Sequence, residues 1–352
     1  MRFKLLGHSG LRVSEICLGA MTFGDGAGWT ATKEESRRIF DVYAEAGGNF
    51  IDTANRYTGG VSERHLGEFI QTDRERLVVA TKYTASTRPG DANAGGNHRK
   101  NLVQALDASL KRLRTDYIDV YWVHAWEFLT PVEEVMRALD DAVRVGKVLY
   151  VGMSDAPAWV VARANTLAEL RGWTPFIGIQ VEYSLLERTV ERELVPMAAA
   201  LDLGVLAWGP LGGGALTGKY AGDGDATADG ARRLPAGDRR LSERNMEIAR
   251  VVAEVASDLG VPSVQVALAW LRARTGPVVI PIVGARRAAQ LQESLGCLDV
   301  TLGDEHLDRL DEASRVSLGF PHDFLRALRG ADVTGGVMEA IDYHRAQRAG
   351  AN

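Results

Sequence analysis

Four side chains suited to acid–base chemistry stand at the ends of three apolar stretches of the chain. Asp52 ends the apolar part of "NFIDTA", and Tyr57 follows five residues later. Lys82 lies near the end of "RLVVATKY", and His124 near the end of "YIDVYWVHA". Taken singly, each has an ordinary structural explanation, such as a capped turn, a solvated strand end or a core histidine, because isolated motif matches are weak. Together, at successive strand ends, they indicate one shared site.

The four residue types fit the reduction of a carbonyl group. A tyrosine hydroxyl with a pKa of about 10 is a poor acid at neutral pH. A neighbouring lysine ammonium favours the phenolate and so is expected to lower that pKa. A carboxylate keeps the lysine charged and in place, and a histidine can orient a carbonyl oxygen. This set suits protonation of an aldehyde or ketone oxygen as it gains charge during hydride transfer.

Other chemistries have weaker support in the sequence. Lys82 could instead form a Schiff base with a substrate, as aldolases do, but Asp52 nearby would keep it protonated. The seven histidines form no HExxH and no cluster with ligand spacing, so no metal site is expected. No GxSxG segment marks a serine hydrolase.

Strand and helix patterns alternate along the chain and must position these residues. The strands are rich in Val, Ile and Leu throughout, as in parallel strands covered on both faces. Eight strand–helix units predict an α/β fold, a closed (β/α)8 TIM barrel, in which active sites lie where strands lead into helices. The eight predicted strands are "EICLGA", "NFIDTA", "RLVVATKY", "YIDVYWVHA", "VLYVGMS", "FIGIQ", "VLAWG" and "VVIPIVG".

We expect one barrel domain over residues 1–352. It begins with a β-hairpin over about 2–16 that plugs the barrel bottom, with His8-Ser9-Gly10 at its turn. A glycine- and aspartate-rich loop over 221–241 is expected to be mobile. The tail over 317–352 is expected to be irregular before a last helical stretch near 337–350.

Helix boundaries can also be predicted. Thr32, followed three residues later by Glu35, predicts the start of the first helix. Ser62 is expected to cap the helix of "SERHLGEFIQ". A single helix is predicted over 187–204.

Composition narrows the function classes. The net charge of −5 gives no basic footprint for nucleic acid. The two cysteines, Cys17 and Cys297, are far apart and suggest neither a disulfide framework nor a CxxC site. The N-terminus lacks the apolar run of a signal peptide, and the least charged stretch is too short and too rich in Gly and Pro to span a membrane. We expect a cytoplasmic protein without membrane or nucleic-acid partners.

Two loops near the ends of the last strands could bind phosphate. "GGALTGKY" resembles a P-loop but ends in Tyr220 and so lacks the hydroxyl that holds Mg²⁺. Its glycines still allow close approach to a phosphate, and barrels commonly bind phosphate after strands 7 and 8. After strand 8, Arg286 and Arg287 open a helix and suit a second phosphate, unless they are only solvated charge. Two such loops suggest a dinucleotide lying across the barrel top.

The chain as a whole resembles the aldo-keto reductase superfamily, and in "GMSDAPAWVVARAN" its aryl-alcohol dehydrogenase-like branch. The resemblance implies a (β/α)8 barrel, NADPH/NADP+ as cofactor and reversible reduction of a small-molecule carbonyl substrate. The segments that carry it occur in the family's order: "NFIDTANRY", "SERHLGEFI", "VVATKY", "YIDVYWVHAW", "GKVLYVGMSD", "QVEYSLLER", "LAWGPLGGGALTGKY" and "VGARRAAQLQESLG".

The resemblance also assigns roles to residues. Tyr57 resembles the general acid, Lys82 and Asp52 its tuning pair, and His124 the residue that orients the carbonyl. Apart from the resemblance, the loop residues Trp29, Trp126 and Phe128 are candidate apolar walls of a substrate pocket beside Tyr57 and His124, unless these aromatic side chains pack locally. The expected cofactor contacts are Gly19, Met21, Asp52, Ser154, Asp155, Gln180, Trp208, Gly209, Pro210, Leu211, Gly213, Lys219, Gly284, Arg286, Gln290, Glu293 and Ser294.

Departures from the family pattern are few. Asp155 and Ser294 stand where Asn is commoner, although the aryl-alcohol dehydrogenase-like branch also carries Asp at the first position. That branch implies aromatic or bulky carbonyl substrates. Some members of the family regulate partner proteins, so a non-catalytic nicotinamide-sensing subunit is the main alternative; the intact set of four acid–base residues disfavours it.

Overall fold

A computed structural model describes residues 1–220, 234–235, 237–328 and 331–342. Eight parallel strands of this part of the chain close into a barrel in the order β10-β3-β4-β5-β6-β7-β8-β9, and β1 and β2 form a separate antiparallel hairpin. The predicted (β/α)8 barrel and N-terminal hairpin are therefore confirmed. The strands are β1 Phe3–Leu5, β2 Arg12–Ser14, β3 Cys17–Gly19, β4 Phe50–Asp52, β5 Val78–Tyr83, β6 Ile118–Val123, β7 Val148–Ser154, β8 Phe176–Glu182, β9 Gly204–Trp208 and β10 Val279–Val283.

Helices surround the barrel, and two of the longer ones were not predicted. The helix α8 is apolar on nearly every side and buried, which hides the 3.6-residue periodicity that reveals a half-exposed helix. The helix α10 was missed for the opposite reason: it buries little more than Leu310 and Ser314, so its sequence shows too few apolar positions to reveal a helical period. The helices are α1 Lys33–Glu45, α2 Val61–Phe69, α3 Arg99–Leu113, α4 Val132–Arg144, α5 Ala158–Arg171, α6 Leu194–Ala200, α7 Glu243–Leu259, α8 Ser263–Arg272, α9 Ala288–Leu295, α10 Asp304–Ser314, α11 His322–Ala327 and α12 Ala331–Thr334.

None of these described helices is alone long and apolar enough to cross a membrane. Only α7 and α8 taken together reach the required length and composition, and they are bent by 97° at the break between them.

The helix predicted over 187–204 is divided in the structure. Thr189–Glu191 form one 3₁₀ turn, and α6 begins only at Leu194. Pro196 explains the late start, because a proline fits the first turn of a helix but would clash with a carbonyl one turn earlier in a longer helix.

Ser62 is not the cap of α2. The helix begins one residue earlier, after Gly60 in the left-handed region, so Ser62 lies inside its first turn. The Ser62 hydroxyl donates to the Ala20 carbonyl at 2.7 Å and lies 2.7 Å from the Thr53 hydroxyl. It therefore ties α2 to the segments that follow β3 and β4.

The C-terminal tail differs from the prediction within its described residues. It contains α11 and α12, while Met338–Ala340 form only a 3₁₀ turn. Gly335 and Gly336 have positive φ and separate that turn from α12. Positions 343–352, and most of the loop predicted to be mobile at 221–241, lie outside the described residues.

Alternate residues of the strands point into the barrel and form its interior. Phe50, Val78 and Val120 share one buried cluster with Leu6 and Val13 from the hairpin, which shows that the hairpin closes the bottom of the barrel. A large side chain in the barrel interior can be accommodated only where a facing residue is small. A Cβ added at Gly152 would lie 2.1 Å from a ring carbon of Trp122.

A buried ion pair connects the segment after the hairpin to helix α8. Glu15, whose side chain is 2% exposed, accepts from Arg272 at 2.8 Å and from the Arg2 backbone N–H at 2.8 Å. Burial alone would raise the pKa of Glu15, but hydrogen bonds from Arg272 and Arg2 outweigh it and lower the pKa to about 2.

The Glu15 contacts predict a pH-dependent stability. Glu15→Gln should lower the free energy of unfolding at pH 7 by about 2 kcal/mol, because it removes charged hydrogen bonds from a buried site. A depressed carboxylate pKa stabilises the fold fully above the unfolded value of about 4.3, and this contribution is lost as pH falls toward about 2. The difference between the two proteins should therefore shrink over that interval in urea unfolding followed by fluorescence.

An exposed pair provides the control. Glu312 and Arg315 are 69% and 72% exposed, so Glu312→Gln should change stability by less than about 0.5 kcal/mol. The explanation by charge would be wrong if Glu15→Gln lost the same unfolding free energy at every pH. It would also be wrong if Glu15→Gln and Glu312→Gln lost equal amounts.

Candidate active site

The strand register brings the predicted acid–base residues to one place. Asp52 pairs with Ala80, and Lys82 pairs with Trp122, in neighbouring parallel strands. Ala80 and Trp122 belong to the interior cluster, so by the two-residue period Asp52, Lys82 and His124 continue the inward-facing rows toward the C-terminal rim. The strands therefore place these three residues on one side of the sheet at one end of the barrel.

Lys82 is at the centre of this group. Its side chain is 1% exposed, and its ammonium forms a close ion pair with Asp52. It also donates to the Thr53 carbonyl at 2.8 Å and to the Tyr57 hydroxyl at 3.2 Å. Burial alone would lower the pKa of Lys82, but the adjacent Asp52 and Tyr57 raise it above its ordinary value. The lysine is thus a fixed cation beside a tyrosine hydroxyl.

Asp52 has a second partner that the sequence did not predict. The Gln180 side-chain amide donates to Asp52 Oδ1 at 3.0 Å, across the barrel from β8. Both Asp52 oxygens are therefore bonded, one to Lys82 and one to Gln180. Gln180, predicted as a cofactor contact, also orients the carboxylate of the acid–base cluster.

A short turn carries Tyr57 back over the barrel mouth. Tyr57–Gly60 form a 3₁₀ turn in which Thr58 and Gly59 have positive φ. The Thr58 hydroxyl donates to the Phe23 carbonyl at 2.7 Å, which fixes the turn to the loop after β3. The Tyr57 ring lies 4.8 Å from the Lys82 ammonium and meets the His124 ring edge-on at 5.9 Å between centroids.

The pKa of Tyr57 moves in the opposite direction from the prediction. Burial raises it, and this effect outweighs the Lys82 ammonium, which lowers it. The sequence reveals the cation but not the cost of charging a phenol in the barrel mouth. Tyr57 is therefore a neutral phenol at neutral pH, and it can donate a proton.

His124 is a neutral imidazole. Burial, together with the positive charges of Lys82 and Arg56, lowers its pKa to about 3. Its backbone N–H donates to the Thr84 hydroxyl at 3.1 Å, and Thr84 has a positive φ of 85°. Thr84 is a positioning contact that no sequence pattern indicates.

The predicted nicotinamide contacts lie beside this cluster. The Ser154 hydroxyl donates to the Gln180 carbonyl at 3.0 Å, and the Asp155 backbone N–H donates to the same carbonyl at 3.1 Å. The Trp208 indole N–H donates to Asp155 Oδ1 at 3.0 Å. Ser154, Asp155, Gln180 and Trp208 therefore form one connected group at the ends of β7, β8 and β9.

The glycine-rich loop after β9 lies directly against two basic side chains. Gly209, Gly213 and Gly214 have positive φ, and Pro210 and Leu211 lie between them. A Cβ at Gly214 would lie 2.6 Å from the Lys219 ammonium, and one at Gly213 would lie 2.9 Å from an Arg240 guanidinium nitrogen. Glycine is needed at both positions, and two cations lie directly over the loop.

Arg240 is a loop contact that the sequence did not predict. It is far along the chain from the glycines it covers, and Asp238 holds it in place through two hydrogen bonds of 2.8 Å. A half-buried arginine 27 residues after Gly213 has no sequence signal that would assign it to this loop. The backbone and its two cations suit a pyrophosphate.

The loop after β10 leads into α9. The Arg286 backbone N–H donates to the Gln290 side chain at 3.0 Å, and the Ser294 hydroxyl donates to the Gln290 carbonyl at 2.9 Å. Gly284 directly follows β10, and Glu293 is exposed on α9. The roles predicted for this group at the adenosine end of a cofactor stay predictions.

The remaining predicted contacts lie at the rim with different exposure. Gly19 ends β3 opposite Asp52, and Met21 is half-buried just after it. Trp126 is 9% exposed and packs in the core, whereas Trp29 is 42% exposed. Of the two predicted pocket walls, Trp126 is part of a packed wall and Trp29 lies at the surface.

Comparison with known proteins agrees with this geometry. The model of the Aldo/keto reductase family matches residues 15–315. Norsolorinic acid reductase stcV of Emericella nidulans is 40% identical over 329 residues, which cover 90% of this chain and 82% of that protein. An aryl-alcohol dehydrogenase of Pestalotiopsis microspora is 38% identical over 334 residues, covering 92% of this chain and 85% of that protein.

A third relative carries a cofactor in its name. The aryl-alcohol dehydrogenase (NADP(+)) of Phanerodontia chrysosporium is 37% identical over 341 residues, covering 91% of this chain and 87% of that protein. The family match spans all eight barrel strands and the four clustered residues Asp52, Tyr57, Lys82 and His124. The chain therefore belongs to the aldo/keto reductase family.

Proposed function

We propose that the protein is an NADPH-dependent carbonyl reductase that reversibly reduces aromatic or bulky aldehydes and ketones to alcohols, with Tyr57 as general acid and base. Family membership and the reductase and dehydrogenase names of the relatives support an oxidoreductase acting on carbonyl groups. The observation that carries the residue-level proposal is the buried Lys82 ammonium, bonded at once to Asp52 and to the Tyr57 hydroxyl.

Each residue has a separate task in the proposed reaction. A bound nicotinamide supplies the hydride that adds to the carbonyl carbon. Tyr57 donates its proton to the carbonyl oxygen as that oxygen gains negative charge. Lys82 stabilises the tyrosinate that remains, and Asp52 keeps Lys82 charged and in place. His124, neutral because of its depressed pKa, can donate a hydrogen bond to the same oxygen and orient it.

The residues present fit a dinucleotide phosphate. Ser154, Asp155 and Trp208 would hold its nicotinamide end beside Tyr57. The glycine loop would hold the pyrophosphate, where Lys219 and Arg240 supply positive charge over backbone that lacks side chains. Arg286 beside the start of α9 would hold a 2′-phosphate, and it is the basis for proposing NADPH rather than NADH.

A Schiff base at Lys82 fits the structure less well. A nucleophilic lysine needs a lowered pKa, whereas Asp52 and Tyr57 raise the pKa of Lys82 against the effect of burial. Its ammonium is also already bonded to three oxygen acceptors. Lys82 is therefore placed to stabilise charge and not to attack a carbonyl.

The names of the relatives and the residues beside His124 support the proposed substrate class. Two relatives are named aryl-alcohol dehydrogenases, and a third is named for the reduction of norsolorinic acid. In this chain, Phe128 lies four residues after His124 and is 66% exposed, whereas Trp126 in the same loop is buried. An exposed aromatic side chain at this rim suits an aromatic carbonyl compound.

Removal of one hydroxyl tests the proton donor. Tyr57→Phe should reduce the rate of NADPH oxidation with an aromatic aldehyde by about 10²- to 10⁴-fold, the usual contribution of general acid catalysis. Cofactor affinity should be unchanged, because Tyr57 is not among the residues proposed to bind it. Tyr117→Phe is the matched control, since Tyr117 lies below β6 against Arg74. Equal activity of wild type and Tyr57→Phe would disprove the assignment.

The pH profile tests the charge states. The kcat/KM for reduction should be level between about pH 5 and 9, because His124 is already neutral and Tyr57, with its raised pKa, is still protonated. Activity should fall only above that interval, as Tyr57 loses its proton. A fall as the pH drops through 7 to 6 would mean that His124 titrates near its ordinary value of about 6.5. In His124→Gln, whose side chain cannot titrate, a fall in kcat/KM caused by protonation of His124 would be absent.

A further inference from the structure

Glu35 joins two helices at the adenosine end of the proposed cofactor site. It lies in the first turn of α1, and its Oε1 accepts a hydrogen bond from the Ala288 backbone N–H at 2.7 Å. Its other oxygen is 2.6 Å from the Arg38 guanidinium. The Glu35 side chain is only 21% exposed, so the carboxylate is held in the groove between α1 and α9.

The bond between Glu35 and Ala288 takes the place of the usual capping contacts of both α1 and α9. Thr32 caps α1 by accepting from the Glu35 N–H at 3.2 Å, but the Glu35 carboxylate does not return to Thr32 to complete a capping box. On α9, the N-cap residue Arg287 makes no side-chain capping bond. The first N–H of α9 is instead capped by a carboxylate from α1, a residue 253 positions away in the sequence.

The same N–H group is one that a phosphate would use. Free N–H groups and the positive end of the helix dipole make a helix N-terminus attractive to anions. The 2′-phosphate of NADP(H) is proposed to lie there, beside Arg286. A carboxylate and a phosphate cannot both accept from Ala288, and at close range they repel each other.

We propose that Glu35 is a cofactor-selectivity residue, whose carboxylate competes with the 2′-phosphate of NADP(H) for the Ala288 N–H at the start of α9. This inference rests on the proposed function, because it requires the adenosine end of a nicotinamide cofactor at that helix. NAD(H) carries a neutral hydroxyl at the same position, which an acidic residue accepts without repulsion. Glu35 therefore lowers the preference for NADP(H) that Arg286 provides.

The neighbouring contacts set the size of the effect. Arg38 partly neutralises the Glu35 carboxylate. The Arg38 guanidinium can also keep its ion pair with Glu35 when that carboxylate leaves the Ala288 N–H. Gln290, which accepts from the Arg286 N–H, is uncharged and can turn away without repelling an anion. The Glu35 charge at the N-terminus of α9 thus accounts for the competition. We expect the affinity for NADP+ to change by about 3- to 30-fold when this charge is removed.

Calorimetric titration of the substrate-free protein tests the proposal. The ligands are NADP+, NAD+, 2′,5′-ADP and 5′-AMP, and the variant is Glu35→Gln, which keeps an acceptor oxygen but removes the charge. NADP+ and 2′,5′-ADP should bind about 3- to 30-fold more tightly to the variant, while the affinities of NAD+ and 5′-AMP stay within about two-fold. Wild type should still favour NADP+ over NAD+.

Two further variants separate charge from structure. Glu34→Gln removes an exposed carboxylate from the same helical turn and should leave all four affinities unchanged. Glu35→Asp shortens the side chain by one methylene, so its carboxylate withdraws from Ala288, and it should tighten NADP+ binding by a smaller factor. It serves as the test if Glu35→Gln does not fold.

The outcomes distinguish this inference from the proposed function. An unchanged or weaker affinity for NADP+ in Glu35→Gln, with wild-type binding intact, overturns the role of Glu35 alone. An equal change for all four ligands also overturns it, because the effect would then come from the shape of the groove. Failure of wild type to bind any of the four overturns the proposed function and this inference together.

Discussion

A lysine charge inside an apolar barrel is the constraint on which the rim of this structure depends. An ammonium group placed in such surroundings without partners costs several kcal/mol. Lys82 avoids that cost through three acceptors, the Asp52 carboxylate, the Thr53 carbonyl and the Tyr57 hydroxyl. A slip of β4 against β5 by one residue would turn these side chains to opposite faces of the sheet. The ion pair and the apolar packing therefore favour the same register of β4 against β5.

The same pair connects chemistry to cofactor binding. Asp52 accepts a hydrogen bond from the Gln180 side-chain amide. The backbone carbonyl of Gln180 accepts from the Ser154 hydroxyl and from the Asp155 backbone N–H. Asp155 in turn accepts from the Trp208 indole. One chain of hydrogen bonds thus runs from Lys82 across the barrel mouth to the residues proposed to hold the nicotinamide. These bonds would oppose a displacement at either end, so they hold the proposed proton donor and the proposed cofactor site at a fixed distance from each other.

Sequence alone predicts the parts of this site that depend on strand order. Asp52, Lys82 and His124 come after apolar runs, and parallel strands necessarily bring such ends to one rim. The contacts of Gln180 with Asp52 and of Arg240 with the glycine loop could not be predicted, because residues distant in sequence meet there only through the closed barrel. The pKa of Tyr57 was predicted in the wrong direction for a related reason: a neighbouring cation is visible in the sequence, but the extent of burial is not.

Charge is divided between the centre of the site and its edges. At the centre, Asp52 is paired with Lys82, while His124 and Tyr57 are neutral, so these four residues together carry no net charge. Cations instead cover the outer loop at Lys219 and Arg240, where the phosphates are proposed to bind. In the proposed reaction Lys82 is already paired with Asp52, so negative charge developing on the carbonyl oxygen is met by the proton of Tyr57. The Lys82 ammonium lies 3.2 Å from the Tyr57 hydroxyl, so in the proposed reaction the lysine charge acts on the tyrosinate that proton transfer leaves and not on the substrate directly.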